Sequence, residues 1–357
     1  MTTSELRESD IAAAGATQMF KEAAEAPRRV RDQLASNRDV VSALAAELRA
    51  SPPTAVITLG RGSSDCAATF ARYLIETRLG VMTTSASPSV ASVYEQSAML
   101  AGSLCLVISQ SGKSPDLLTA AKAAIEAGAL VVALVNDETS PLADLAQVVI
   151  PLHAGPELSV AATKSYIAAM SAIAHLVACW AEDEALLAAL TGLPDQMDRA
   201  WAQDWTSALK PLMAAPSLYV VGRGVGLCVA QEAALKFKET CGLHAEGFSS
   251  AEVRHGPMAL VGPGFPVLAF AQDDETRDGV AALASEFASR GADVLLAGCT
   301  TDRPTPNLLP LPFIPANPAL QPILLIQTFY RLVNALAVAR GFDPDRPPHL
   351  NKITETV

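Results

Sequence analysis

The residues best equipped for chemistry lie between Gln231 and Pro257, in the stretch QEAALKFKETCGLHAEGFSSAEVRHGP. Glu232, Glu239, Glu246, Glu252, Lys236, Lys238, His244 and His255 fall there between apolar flanks. Carboxylates and imidazoles together move protons near neutral pH, and a purely structural helix has little use for so many of them. Leu235 lies one helical turn before Glu239, so Glu239 flanks an apolar face, where a carboxylate partly withdrawn from water can act as a general base at carbon. Spacing barely ranks it above the other glutamates, for which a solvated helix face is the ordinary reading. His255 stands before Gly256-Pro257, a tight non-helical path that holds an imidazole on a loop, and a plain surface histidine fits the same residues. His244 equally serves its own helix C-terminus. Lys352, beside Asn351, reads by itself as an exposed lysine.

A second chemical group is anion-seeking. Ser63-Ser64 and Ser109-Gln110-Ser111-Gly112-Lys113-Ser114 each follow an apolar strand and open a helix. Backbone N–H groups at such junctions attract an anion and hydroxyls add short donors. Serines also simply cap helices, but two such loops favour a ligand. Neither matches a dinucleotide or nucleoside triphosphate signature, so a small phosphate ester fits better.

These groups need a scaffold. Helical material runs from Met19 to about Leu48, broken at Ala26-Pro27. Strands are expected at Ala55–Leu59, Val81–Ser85, Leu104–Ser109, Ala129–Val135 and Val148–Leu152, with helices between them, including one over Ser89–Met99. A long helix should follow from about Val160 to Ala181, then a weaker connecting region over Gly192–Asp204. The pattern then repeats: LYVVGRGVG answers AVITLGRGSS, each with a Gly-Arg-Gly turn after an apolar strand. Further strands are expected at Phe265–Phe270, Ala292–Ala297 and Leu309–Ile314, and helices at Thr276–Ser289 and Leu320–Ala339. A duplicated α/β unit is the economical account, giving two tandem three-layer αβα sandwiches with mostly parallel sheets. The expected division is an arm at 1–50, sheets within 51–200 and 201–340, and a tail at 341–357 that completes the site.

The 357 residues suffice for two cores, half of them apolar and 18% charged. A net charge of -11 gives no reason to expect nucleic acid or an anionic membrane as partner. Six scattered cysteines without CxxC spacing read as buried thiols in a reducing compartment and do not suggest a metal site. MTTSELRESD lacks the pattern of a signal peptide, and the longest apolar runs, such as Ile167–Ala178, fall short of the ~18 residues that span a bilayer. A cytoplasmic protein is expected.

SQSGKSPD at Ser109–Asp116, AGPELSVAATK at Ala154–Lys164, the Glu232–Pro257 stretch and the terminal NKITETV together resemble the tandem sugar-isomerase (SIS) domain family. That family includes the isomerase half of glutamine:fructose-6-phosphate amidotransferase and the glucosamine-6-phosphate deaminases, and the likeness runs over nearly the whole chain. The resemblance implies that Ser64, Ser109, Gln110, Ser111 and Ser114 hold a sugar phosphate, with Val160 and Ala161 lining the sugar through backbone groups. It implies that Glu239 carries a proton between C1 and C2, and that His255 assists ring opening from a neighbouring subunit of a homodimer. Lys352 resembles the lysine that contacts the open-chain ketose, as an imine in the synthase. The second Gly-Arg-Gly lacks the serine set, so one duplicate alone should carry the phosphate.

No glutaminase sequence precedes the first sheet, and the basic SQSGKSPD loop looks nearer the deaminase branch than the acidic loop of the synthase. Conversion of glucosamine 6-phosphate and water to fructose 6-phosphate and ammonia is therefore expected, without metal or redox cofactor. The rivals are a deaminase or isomerase for galactosamine 6-phosphate or a fructosamine phosphate, and a non-catalytic sugar-phosphate sensor. Regulators of that last kind carry a basic recognition helix, which the arm lacks.

Overall fold

The structure is a computed structural model, and its described residues are 13–96, 98–300 and 304–352. MTTSELRESD and the end of NKITETV after Lys352 lie outside them. The chain forms two compact units, each around its own sheet. The first-sheet unit comprises Arg28–Glu157, Lys164–Pro194 and Asn351–Val357; the second-sheet unit comprises Met1–Pro27, Leu158–Thr163 and Asp195–Leu350.

In the first-sheet unit, β1 (Val56–Leu59), β2 (Thr83–Ser85), β3 (Leu104–Ser109), β4 (Leu130–Val135) and β5 (Val148–Pro151) are ordered β2-β1-β3-β4-β5. All pairings are parallel, with Val56 opposite both Thr83 and Leu104, and Leu104 opposite Leu130. The central strands are apolar on both faces and buried throughout, as a parallel sheet covered on both sides requires. One face packs Ile57, Cys105, Val107, Val131 and Ala133 against Leu117, Ala121 and Ala124 of the helix Pro115–Glu126. Lys164–Trp180, buried along almost its whole length, packs with Ser63–Leu79 and Arg38–Ala50.

The second-sheet unit repeats this plan. Its strands β6 (Ser217–Gly222), β7 (His244–Ser249), β8 (Pro266–Phe270), β9 (Asp293–Ala297) and β10 (Leu308–Leu311) are ordered β10-β9-β8-β6-β7, again all parallel. The first glycine of each Gly-Arg-Gly turn has a packing reason. A Cβ on Gly60 would lie 2.8 Å from the Ser64 carbonyl carbon, and one on Gly222 2.4 Å from the Gly226 oxygen, so each strand enters its helix without room for a side chain.

Several expectations change. His244–Ser249 is a strand paired with β6, although the sequence suggested a helix running into a loop. Its alternation of His, Glu and Phe with small residues is that of an edge strand with one wet face, and His244 begins it and does not cap a helix. The helix expected over Ser89–Met99 shrinks to Ser89–Ser92. The weak region at Gly192–Asp204 belongs mainly to one helix, Glu184–Trp201, which accommodates Pro194 internally. The apolar-run estimate also missed Gln321–Ala339, which is long and apolar enough to cross a membrane by length and composition. Its apolar window is 78% buried within the protein, as befits a core helix.

Candidate active site

The anion-seeking loops stand at the carboxyl ends of adjacent strands, where open α/β sheets bind ligands. Ser64 is in the first turn of Ser63–Leu79, after β1, and Ser109 ends β3. The loop between β3 and Pro115–Glu126 is tightly folded. Gly112 has φ +65° and donates its N–H to Ser109 Oγ at 3.0 Å, and Ser111 Oγ accepts the Lys113 N–H at 3.3 Å. Ser109 is buried, whereas Gln110, Ser111 and Ser114 are partly open. Pro115 occupies the first helical position, where a missing N–H costs nothing.

The two loops are tied together. Arg61 Nε and Nη2 donate to Asp116 Oδ2 at 2.9 and 2.7 Å, and the Asp116 side chain is fully buried while Arg61 stays half exposed. The guanidinium thus remains open to an incoming anion while it fixes the spacing of the loops. Lys113 is anchored 2.8 Å from Asp137. That hydrogen bond, helped by the Thr139 hydroxyl and N–H, lowers the Asp137 carboxyl to about 2.

The second-sheet unit treats the equivalent corner differently. After β8 the chain reads Ala271-Gln272-Asp273-Asp274-Glu275-Thr276 where β3 is followed by serines. Gln272 Nε2 donates to the Arg223 carbonyl and to Asp274 Oδ2, both at 2.8 Å. An amide and carboxylates thus stand in this corner where serines stand in the other unit.

Lys352 and Glu157 meet in the first-sheet unit. Lys352 Nζ lies 3.4 Å from Glu157 Oε2, and the Glu157 side chain is fully buried. Glu157 also accepts from the Ser165 N–H at 3.1 Å and from Ser165 Oγ at 2.6 Å. A lysine that reads as exposed is thereby directed by a buried carboxylate, a partner that local sequence could not supply across 195 positions.

Glu239, on Leu227–Cys241, keeps 21% of its side chain exposed and forms an ion pair with Lys236, whose own side chain is 1% exposed. Glu232, also fully buried, lies 3.5 Å from the same ammonium, and Tyr330 donates its hydroxyl to Glu232 at 2.9 Å. Reading Lys236 and Glu232 as solvated charge is therefore incorrect for this helix. The available signal was their spacing: Glu232, Lys236 and Glu239 recur at i, i+4 and i+7, one face of the helix. His255 ends the 3-10 turn Glu252–Arg254 and is exposed, ahead of Gly256 at φ +135°.

Val160 and Ala161 belong to the segment Leu158–Thr163 of the second-sheet unit. Buried Glu22 accepts the Leu158 N–H at 2.5 Å and the Ser159 N–H at 3.2 Å, and it also takes the Ser159 hydroxyl. The Val160 N–H donates to the Asp345 carbonyl at 3.2 Å, while the Asp345 carboxylate accepts the Gln18 and Met19 N–H groups at 2.8 and 2.7 Å. Among the described residues no group of three or more His, Cys, Asp or Glu side chains is arranged to hold a metal ion.

The SIS domain family model matches residues 51–178 and 212–305. Glutamine–fructose-6-phosphate aminotransferase (isomerizing) of Methanothermobacter thermautotrophicus is 33% identical over 342 residues, covering 94% of this chain and 56% of that protein. The chain thus spans about half the length of the curated relatives it matches. A solved structure from Silicibacter pomeroyi, described as a candidate phosphosugar isomerase, is 45% identical with a TM-score of 0.87, covering 92% of this chain and 100% of that one. Glucosamine-6-phosphate deaminase of Thermotoga maritima shares the fold at 23% identity and a TM-score of 0.76, over 95% of this chain and 100% of that one. With its two parallel five-stranded sheets and their flanking helices, the chain belongs to the SIS domain family, as two tandem αβα copies.

Proposed function

We propose that the chain is a phosphosugar isomerase that deaminates glucosamine 6-phosphate to fructose 6-phosphate and ammonia. The observation that carries this reading is the pairing of partly open Glu239 with buried Lys236. An ammonium withdrawn from water beside a carboxylate that keeps one open face is a costly arrangement for stability alone, and it suits a proton carrier. The names of the relatives and the serine loops support a phosphosugar as the ligand.

In this reading the first-sheet unit holds the phosphate with Ser64, Ser109, Gln110, Ser111, Ser114 and the Arg61 guanidinium. Val160 and Ala161 line the sugar through their backbones. His255, supplied by the partner of a homodimer, helps to open the pyranose. Glu239 takes the proton from C2 and returns it at C1, so the aldose amine becomes a C2 imine through an enolamine. Water adds to that imine and ammonia leaves, which balances the reaction without a redox step. Lys352, directed by Glu157, contacts the open-chain ketose.

The test is ammonia release from glucosamine 6-phosphate, coupled to the appearance of fructose 6-phosphate. Glu239→Gln should lower kcat by about 10²- to 10⁴-fold while the substrate still binds. A panel containing galactosamine 6-phosphate and a fructosamine phosphate separates the neighbouring substrates. Absence of turnover by the purified chain with bound substrate refutes the deaminase reading.

A further inference from the structure

Glu239 does not stand on Lys236 alone. Lys236 rests on Glu232, and Glu232 rests on Tyr330, which belongs to the core helix Gln321–Ala339. Three of these four side chains are fully buried, and the fourth, Glu239, is where the row meets solvent. The two helices are locked in register beside it by Phe237 and Phe329, whose rings meet edge to face at 5.1 Å. Thr240 Oγ1 donates to the Lys236 carbonyl at 2.8 Å, which fixes the next turn.

The row contains two carboxylates and one amine. Which groups hold protons decides whether Lys236 faces Glu239 as an ammonium. A buried carboxylate stays ionised only while donors compensate for the lost water. The Tyr330 hydroxyl is such a donor, aimed at the Glu232 oxygen that also faces the Lys236 ammonium. Without it, Glu232 competes more strongly for the proton on Lys236 Nζ, and a transfer would leave a neutral amine next to a neutral acid. Glu239 then loses the charge that holds it.

We infer that Tyr330 is a positioning residue for the proton transfer, acting through Glu232 to keep Lys236 charged and Glu239 aimed. This rests on the assignment of Glu239 as the base. Tyr330 reaches the row through Glu232, from the buried face of a second helix.

The experiment compares the full-length parent with Tyr330→Phe, Glu232→Gln and the double variant, measuring kcat, KM and deuterium entry at substrate carbon in D₂O. Phenylalanine keeps the ring and removes only the donor. Tyr330→Phe should lower kcat and the deuterium-entry rate by about tenfold or more, the range for a hydrogen bond to a charged group, with KM changed less than twofold. The double variant should be no slower than the slower single variant, because both changes break one chain. An unchanged kcat in Tyr330→Phe, or losses that multiply in the double variant, overturns the inference.

A second cycle in thermal unfolding, Tyr330→Phe with Lys236→Met, separates this inference from the functional reading. If the parent releases no ammonia, the deaminase reading falls, and the row is judged by that cycle alone. Non-additive destabilisation supports the coupling, and additive destabilisation refutes it.

Discussion

Replacing Gly112 by alanine should damage the serine loop after β3 by a calculable amount. Gly112 sits at φ +65°, in the left-handed region, where a side chain costs about 1–2 kcal/mol. An added Cβ would also lie 2.1 Å from Ser140 Oγ, 2.6 Å from Ser140 Cβ and 3.0 Å from Val135 Cγ2. Rotating Ser140 moves its oxygen but not its Cβ, so the loop or the Pro141–Leu145 helix must shift, an overpacking cost of about 1–3 kcal/mol. Rotation would in addition break the cap from Ser140 Oγ to the Ala143 N–H, worth about 1 kcal/mol. The total is roughly 4 kcal/mol, borne by the first-sheet unit.

Because the loss falls on one of two units, amide exchange in peptides covering β3 and β4 locates it more directly than a global unfolding midpoint does. Each tenfold faster exchange corresponds to about 1.4 kcal/mol of lost local stability. Adding Ser140→Gly should recover roughly half of the loss, since it removes the overlap but leaves the dihedral penalty. Exchange in Gly112→Ala within twofold of the parent would refute this account of the loop. So would a double variant no better than the single one.

Burial, reinforced by Arg38, lowers the His175 pKa from its ordinary 6.5, so the folded state resists its protonation. This contribution is present above pH ~6.5 and is lost as pH falls below it, because the unfolded chain then binds the extra proton. The parent's unfolding midpoint should therefore drop more steeply between pH 7 and pH 5 than that of His175→Gln; equal slopes would contradict it. Burial pushes the Cys105 and Cys241 thiols up to about 12, so at pH 8 an alkylating reagent should modify the less buried Cys179 well before either, as peptide mass spectrometry would show. Glu157→Gln should weaken borohydride trapping of Lys352 by fructose 6-phosphate about tenfold while phosphate affinity holds; undiminished trapping would show that Glu157 does not direct the lysine.

The parallel sheets were legible because their strands are continuous apolar runs bounded by glycine turns, and Leu104–Ser109 is found with the expected bounds. The strand His244–Ser249 was hidden because an edge strand buries little, and histidine and glutamate dilute its pattern. The serine loops stood out by residue type and position, whereas Glu239 was singled out by the family resemblance, since spacing barely ranks it above the other glutamates. Lys236 was signalled only by its spacing from Glu232 and Glu239, since a lysine flanked by Leu235 and Phe237 looks the same whether its ammonium is solvated or enclosed between carboxylates. Glu157 and Tyr330 illustrate the general limit. Their partners are distant in sequence, so their roles follow from packing, which local patterns do not encode.

The unequal Gly-Arg-Gly corners also bear on how the two halves can change over time. One corner holds its guanidinium open with a buried aspartate, and the other is stoppered by Gln272 and Asp274. On the proposed reading, drift at the stoppered corner is limited by folding, whereas the open one must satisfy folding and a ligand at once. Substitutions should therefore accumulate faster around Gln272–Thr276 than around Ser109–Asp116.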